Sequence, residues 1–161
     1  MLKIQPDELM QKVEAARDLY HRLVLLVAPA GAGKTAVLLQ LAGKASVPCV
    51  NVNMEVSRRM LDMTEKQRAL RAGTVLGEVV DATVGDPVIL DNIELLFDRS
   101  LQQDPLRVLK DLSRNRTVVA SWNGAISENG ITYAVPGHPE YRRYARSDID
   151  FLYVSDEGGE S

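Results

Sequence analysis

The residues with the clearest chemistry lie between positions 28 and 35, where the sequence reads APAGAGKT. This segment follows the phosphate-loop pattern G-x-x-x-x-G-K-T/S, except that Ala28 replaces the first glycine. Small residues leave backbone N–H groups free to converge on a phosphate, and the positive end of the next helix adds to the attraction. In this pattern Lys34 reaches the β- and γ-phosphates, and the Thr35 hydroxyl ligates Mg²⁺. The sequence therefore predicts a nucleoside triphosphate site with magnesium, formed by Pro29, Ala30, Gly31, Ala32, Gly33, Lys34, Thr35 and Ala36.

A second acidic position follows the apolar run 88–90, which has the pattern of a buried strand. Asp91 ends this run, and magnesium beside a triphosphate requires a carboxylate at the end of a neighbouring strand. Many ATPases carry a glutamate directly after this aspartate to activate water, whereas this chain has Asn92, whose amide cannot take a proton. Glu94, two residues later, either replaces that base or caps the following helix. We therefore expect nucleotide binding with slow or partner-stimulated hydrolysis.

Polar residues also end the run 117–121, which is predicted to be the fourth strand. In the additional-strand class of P-loop ATPases a polar side chain at this place senses the γ-phosphate, so Ser121 and Asn123 are both candidates. Asn123 with Gly124 is equally typical of a tight turn, and Trp122 fits either the core or an interface. The predicted catalytic residues are Lys34, Asp91, Glu94 and Asn123, and the predicted magnesium ligands are Thr35 and Asp91.

The elements that must position these residues alternate between strand-like and helix-like patterns. The run 23–27 is apolar on both faces, as in a strand buried between two helical layers. Further strands are predicted at 47–52, 88–90, 117–121 and 131–135, with a short one at 151–154; helices are predicted from Pro6, over 36–42, over 65–82 and from Pro105. This alternation indicates a parallel sheet covered on both faces. The expected fold is a three-layer α/β P-loop NTPase with a mostly parallel five-stranded sheet, of the additional-strand class.

Local signals mark where three of these helices begin. Proline at the first helical position and a side chain that accepts from the first-turn amides both favour a helix start. The signals are Pro6 followed by Asp7 and Glu8, Thr64 three residues before Gln67, and Asp104 followed by Pro105.

Composition places the chain among globular proteins. It has 161 residues, of which 45% are hydrophobic and 25% are charged, so we expect a single domain over 1–154 followed by a flexible acidic tail over 155–161.

The one cysteine, Cys49, lies in an apolar run and is expected to pack in the core. Because the sequence starts without an apolar signal segment and has no run long enough for a bilayer, we expect a cytoplasmic protein without membrane contact.

Basic residues cluster locally although the net charge of −3 provides no overall attraction to nucleic acid. One cluster contains Arg107, Lys110, Arg114 and Arg116. It is either a solvated helix face or a contact to the phosphates of DNA.

Several longer runs resemble the BrxF family, the small P-loop proteins of type 3 BREX phage-exclusion systems. The runs are 90–98 (LDNIELLFD), 104–106 (DPL), 112–116 (LSRNR), 122–124 (WNG) and 138–144 (HPEYRRY), and the resemblance spans residues 6–144. It implies an AAA-like core without a helical lid that acts in bacterial defence beside a methyltransferase and other BREX proteins. Such cores form homo-oligomers with nucleotide and often complete the site with an arginine from the adjacent subunit. The candidates here are Arg114, Arg116, Arg142 and Arg143.

Two other functions fit parts of the sequence. A small-molecule or nucleoside kinase fits the length, and the arginines between 142 and 146 imitate the lid of such enzymes, although no clear lid is present. A DNA-binding adaptor with a poorly active phosphate loop is the second, because an oligomer can align the basic helix around Arg107. A GTPase is not indicated, since the chain has no guanine-specific Asn-Lys-x-Asp loop. ATP is taken as the nucleotide, and the motif itself leaves the base preference open.

Overall fold

The computed structural model describes residues 2–155 of the chain. Its helices are α1 (Pro6–Ala16), α2 (Lys34–Ala45), α3 (Val52–Arg59), α4 (Glu65–Ala82) and α5 (Pro105–Leu112), with short 3-10 helices at Glu94–Phe97, Arg99–Leu101 and Arg146–Asp148. Its strands are β1 (Leu23–Ala28), β2 (Cys49–Asn51), β3 (Val88–Asp91), β4 (Val118–Ser127), β5 (Gly130–Tyr133), β6 (Arg142–Ala145) and β7 (Leu152–Ser155). Within these residues no helix combines the length and the apolar character needed to cross a membrane.

The expected acidic tail falls almost wholly outside the described residues. Ser155, the first residue assigned to it, is the last residue of β7. Residues 156–161 lie beyond the described part of the chain.

A parallel sheet of five strands carries the fold, in the order β2-β3-β4-β1-β7. Strand β4 lies between β1 and β3 in the sheet, although it follows both of them in the sequence. The register pairs Ala28 with Asn123 and Leu90 with Ala120. Because the strands are parallel, the residues that follow β1, β2 and β3 meet at one edge of the sheet.

Helices cover both faces of this sheet, which confirms the three-layer arrangement. Along β1, Leu23 and Leu25 pack into the core with α3, α4 and α5, whereas Val24 and Leu26 pack into the core with α1 and α2. Successive side chains of a strand point to opposite faces, and all of these positions are fully buried. The continuous apolar run of β1 therefore reflects burial on both sides.

The fifth parallel strand is β7, and not the segment 131–135 that the sequence pattern indicated. That segment forms β5, which pairs antiparallel with β4 and β6. The reason is that β4 continues beyond the sheet edge to Ser127 and turns back through Asn129 and Gly130. Gly124 lies inside β4 rather than in a turn, and a Cβ on it would come within 1.8 Å of the Thr132 carbonyl oxygen. Close approach of two strands explains this glycine.

The second strand is shorter than predicted, and a helix that the sequence analysis missed follows it. Strand β2 ends at Asn51, whose side chain accepts a hydrogen bond from the amide of Met54 and so begins α3. Asparagine is a favoured N-cap residue. The apolar residues at 47, 50 and 52 suggested one strand because they do not distinguish a strand end from a helix start.

The three predicted helix starts are confirmed. Helix α4 begins after Thr64 with a reciprocal capping box to Gln67, and α5 begins with Pro105 after an Asp104 cap. In α1 the capping box also recruits Gln5, which pairs with Glu8. Capping side chains and proline therefore predicted where these three helices begin.

Arg116 has a structural role at the carboxyl end of α4. Its guanidinium donates to the carbonyl oxygens of Val80, Thr83 and Gly85 at 3.0, 3.1 and 2.8 Å. Carbonyls at the end of a helix lack intrahelical partners, and a cation satisfies them while opposing the negative end of the helix dipole. These bonds occupy the side chain that was one candidate for contact with DNA or with an adjacent subunit.

We expect the substitution Arg116→Ala to lower the free energy of unfolding by about 2 kcal/mol, because charge-assisted bonds to three carbonyls are lost. Urea unfolding followed by circular dichroism measures this. Arg143→Ala is the matched control, because the Arg143 side chain is exposed and has no hydrogen bond or ion pair within residues 2–155. Equal stability of the two variants would contradict the capping role.

Candidate functional site

The loop between β1 and α2 has the geometry of an anion cradle. Gly31 and Gly33 adopt φ values of +80° and +102°, and a Cβ on either would meet no atom within 4 Å. Within residues 2–155 no hydrogen-bond acceptor takes their backbone amides. The first amides of α2, at Lys34 and Thr35, have no intrahelical partner either. The loop thus presents several N–H groups to solvent, as a phosphate site requires.

Lys34 is a buried cation at the base of this loop, with 6% of its surface exposed. Its Nζ donates to the carbonyl oxygens of Ala28 and Pro29 at 3.0 and 2.8 Å. Burial lowers the pKa of the ammonium group, and the negative charges of Asp91 and Glu94 oppose that shift. Within residues 2–155 it forms no ion pair with a carboxylate, so the site contains positive charge without a bonded anion.

Asp91, at the end of β3, forms hydrogen bonds to α2 and to β4. Its Oδ2 accepts from the Thr35 hydroxyl at 2.6 Å, and its Oδ1 accepts from the Ser121 hydroxyl at 2.7 Å. The side chain is 5% exposed, so both oxygens of a buried carboxylate are satisfied by hydroxyl donors. Ser121, which the sequence offered as a γ-phosphate sensor, therefore orients Asp91.

This donor set fits a magnesium ion. Magnesium binds proteins through one or two carboxylates and completes its shell with water and phosphate oxygens. Asp91 and Thr35 supply one carboxylate and one hydroxyl at bonding distance from each other. Within the described part of the chain no cluster of three or more His, Cys, Asp or Glu residues is arranged to hold a metal ion.

Glu94 lies beside the loop and is positioned by Asn53. It begins the 3-10 helix Glu94–Phe97 instead of capping a longer helix. The Asn53 side-chain amide donates to Glu94 Oε1 at 3.5 Å, while its Oδ1 accepts from the amide of Leu95 at 2.8 Å. The Asn53 backbone amide also donates to the carbonyl of Asn92 at 3.0 Å. Asn53 belongs to the unpredicted helix α3, and no motif identified it in the sequence.

The environment of Glu94 disfavours its ionised form. Burial and the negative charge of Asp91 raise the pKa of the Glu94 carboxyl above its ordinary value, and Lys34 opposes this shift. A raised pKa is what a carboxylate needs to accept a proton near neutral pH. Asn92, in contrast, adopts a positive φ of 55° and has its carbonyl held by Asn53.

Asn123 lies at the same sheet edge, opposite Ala28 in the register. Burial raises the pKa of the nearby Tyr133 hydroxyl, followed by the charges of Glu94 and Glu140, and the Asn123 side chain opposes this shift. Trp122 is fully buried and lies edge-on to Tyr133 and Phe97. The core interpretation of Trp122 is therefore the one that the structure supports.

The remaining candidate arginines differ in how strongly they are engaged. Arg114 lies over the ring of Tyr20 at 4.8 Å, and Arg142 donates to the carbonyl of Gln103 at 2.8 Å. Arg143 is exposed on β6. In the basic cluster of α5, Lys110 forms an ion pair with Asp150 at 3.0 Å.

Cys49 lies in β2 and is half-buried. Burial raises the pKa of its thiol to about 11. A thiol with so high a pKa is not a reactive nucleophile at neutral pH, in agreement with a packing role.

Comparison with known proteins gives a structural match at low sequence identity. No protein-family model matches the chain, and no curated protein matches it either. Among solved structures, AMPPCP-bound DnaA from Aquifex aeolicus aligns with a TM-score of 0.47 and 16% sequence identity. The alignment covers 98% of this chain and 48% of that chain, so this chain spans about half the length of the protein it matches.

We expect Glu94→Gln to stabilise the protein at pH 7 and to leave its stability unchanged below pH 4. Because the pKa of the Glu94 carboxyl is raised above its ordinary value in the folded protein, the wild-type protein loses stability as the pH rises through the folded-state pKa, whereas glutamine does not titrate. Urea unfolding at pH 4 and pH 7 measures the difference. Glu128→Gln, on an exposed turn, serves as the control, and an equal effect at both pH values would contradict the assigned environment.

Proposed function

We propose that the chain is an ATP-binding P-loop module that holds Mg–ATP at the loop between β1 and α2. The observation that carries the proposal is the buried Lys34 ammonium, which two carbonyls hold next to unpaired loop amides. An isolated buried cation is costly and is retained where an anion binds. A triphosphate supplies that anion, and its phosphate oxygens would take the free N–H groups of Gly31, Gly33 and the first turn of α2.

Each residue of the edge has a distinct role in this proposal. Thr35 and Asp91 hold the magnesium ion, which neutralises charge on the phosphates when bound. Ser121 orients Asp91, and Asn123 lies where a polar side chain contacts the γ-phosphate. Lys34 compensates the charge of the β- and γ-phosphates.

The strand order supports assignment to the additional-strand class. In that class a strand lies between the loop strand and the strand that ends in the metal-binding aspartate. Here β4 occupies that place between β1 and β3 and ends its parallel part near Ser121 and Asn123.

We infer that hydrolysis is slow in the isolated chain. The position after Asp91 is Asn92, which cannot accept a proton. The pKa of the Glu94 carboxyl near the site is raised, and Asn53 holds this carboxyl through a long 3.5 Å contact. A partner that shortens this contact or adds a cation would raise the rate.

A second copy of the chain is the partner that we propose for this step. Arg116 caps α4, Arg142 binds the Gln103 carbonyl and Arg114 lies over Tyr20. Arg143 is the exposed candidate without such a contact, which favours it as the arginine that reaches an adjacent site. Nucleotide-dependent homo-oligomers would follow from this arrangement.

The resemblance to the BrxF family extends the proposal to phage defence. On that basis we propose that the module works with other BREX proteins and that Arg107, Lys110 and Arg114 contact DNA in the assembled state. The neighbouring genes test this part, because a methyltransferase gene and a phosphatase-like gene beside the coding sequence would support it. Genes unrelated to defence would argue against it.

We expect Lys34→Ala to weaken Mg–ATP binding by about 100-fold or more, because a buried charge-assisted contact to the phosphates is lost. Displacement of a fluorescent ATP analogue measures the affinity. Lys44→Ala, also on α2 but exposed and paired with Asp7, is the control and should bind normally. An unchanged affinity of Lys34→Ala, with wild-type circular dichroism, would refute the assignment of the loop.

We expect phosphate release per chain to rise with protein concentration in the wild type and to stay flat in Arg143→Ala. The reason is that a cation from a second copy acts only in the assembled protein. A coupled phosphate assay over a concentration series, with size-exclusion chromatography in Mg–ATP, measures both rate and assembly. Arg107→Ala is the matched exposed control; a wild-type rate independent of concentration would contradict the proposal.

A further inference from the structure

A cavity of about 350 Å³ runs along α5 and shares no lining residue with the proposed nucleotide site. Tyr20 and His21, which precede β1, line it together with side chains of α5 and with Tyr144 of β6. The Ser113 carbonyl after α5 accepts from the amide of Arg22 at 2.9 Å, so one end of the cavity lies where β1 begins. The phosphate loop follows the other end of β1, and the two sites are therefore separate.

A network of charged side chains gives the cavity its shape. The Lys110 Nζ atom lies 3.0 Å from Asp150 Oδ1 and donates to the carbonyl oxygen of Asp148 at 2.9 Å. Asp150 Oδ2 lies 3.0 Å from His21 Nδ1. These contacts join the residues before β1, helix α5 and the segment before β7. Because Asp150 balances its charge, Lys110 positions the walls and is not the main attraction for an anion.

Two guanidinium groups in the lining remain available to a ligand. Arg107 lies on α5 and Arg114 follows directly after its C-cap. Both side chains are exposed, and neither forms an ion pair with a carboxylate within residues 2–155. A guanidinium presents a planar fork of donors that matches phosphate oxygens, so the cavity offers two phosphate contacts.

Tyr20 adds an exposed aromatic ring to the same cavity. The residue is 67% exposed. The guanidinium of Arg114 lies 4.8 Å from its ring centre, and His21 meets the ring edge-on with the two centres 4.8 Å apart. Unpaired bases stack on aromatic rings that lie beside basic side chains. The ring therefore points to a nucleobase independently of the charges.

The carboxylates of the lining decide between a duplex and an unpaired strand. Asp104 accepts from the Arg107 amide at 3.3 Å and from the Tyr144 hydroxyl at 2.9 Å, while Asp111 and Asp148 are exposed. These three acids equal the lysine and arginine residues of the lining in number, so the general attraction to a phosphate backbone is weak. Carboxylates do accept hydrogen bonds from base amino groups, and a single strand leaves both the edges and the faces of its bases open. The lining therefore favours a single strand.

We propose that this cavity binds a short stretch of single-stranded nucleic acid. One base stacks on Tyr20, and phosphates on either side of it contact Arg107 and Arg114. The inference rests on the proposed contact between α5 and DNA and specifies an unpaired strand as the ligand. The phosphate loop takes no part, so protein without nucleotide is the material for the test.

Fluorescence anisotropy of a labelled single-stranded DNA at low ionic strength measures the binding, with a duplex of the same sequence for comparison. We expect the single strand to bind about tenfold or more tightly than the duplex, because pairing hides the base faces. Tyr20→Ala should weaken strand binding by about tenfold through loss of stacking, whereas Tyr20→Phe should retain it. Arg107→Ala should lower the slope of log affinity against log salt by about 0.7, because one phosphate contact is lost.

The matched control is Arg58→Ala, which removes an exposed arginine that pairs with Glu55 on α3 at 2.6 Å and should bind the strand as the wild type does. Equal affinity for strand and duplex, no saturable binding, or an unchanged affinity in Tyr20→Ala would overturn the proposal. An RNA strand of the same sequence distinguishes the two sources of a single strand, because only RNA carries the 2′-hydroxyl. Tighter binding of either strand identifies the source and supports the same cavity chemistry.

Parallel titration with the fluorescent ATP analogue separates this site from the phosphate loop. Tyr20→Ala should keep the wild-type affinity for Mg–ATP. Joint loss of strand and nucleotide binding in this variant, with native circular dichroism, would overturn the assignment to α5. A wild-type chain that binds the strand but no ATP would refute the proposed nucleotide site and support a separate strand site.

Discussion

A buried ammonium group without a carboxylate partner is the constraint on which the proposed site depends. Removing a cation from water costs free energy that hydrogen bonds to neutral carbonyls recover only in part. The carbonyls of Ala28 and Pro29 hold the Lys34 ammonium at the start of the loop, while the amides of Gly31 and Gly33 have no acceptor within residues 2–155. Positive charge and unpaired N–H groups thus lie at one edge of the sheet, and a polyphosphate is the ligand that we propose for them.

The parallel register brings the remaining chemistry to this charge. Asp91 ends β3, and Ser121 lies in the adjacent strand β4, so that the two side chains bond directly. The Thr35 hydroxyl reaches the same carboxylate from α2. Three segments far apart in sequence are therefore joined by two hydrogen bonds, and a buried carboxylate that accepts both has a fixed orientation. Preorganisation of this kind lowers the cost of binding a metal-bound anion.

The sequence predicted the parts that depend on local chemistry. The glycines of the loop, the aspartate after a buried strand and the helix caps at Thr64 and Asp104 all follow from residue types at fixed short spacings. Asn53 and helix α3 were not predicted, because Asn51 ends a strand and starts a helix within a few residues. The antiparallel pairing of β5 was missed for a different reason: the direction in which a strand pairs is decided by tertiary contacts, such as the close approach at Gly124. The sequence offered Ser121 and Asn123 as alternatives for one role. Only the pairing of β4 with β3 shows that Ser121 is the residue beside Asp91.

The extended end of β4 and the end of β5 line a cavity beside the loop residues Pro29 and Ala30. Tyr133 lines this cavity, and its ring stacks on Phe97 of the core.

Titration calorimetry of the folded wild-type chain with ATP, with and without magnesium, tests the central claim most directly. The account predicts saturable heat corresponding to one nucleotide per chain, with tighter binding when magnesium is present. Absence of heat at millimolar Mg–ATP, from protein whose circular dichroism shows the native fold, would contradict it.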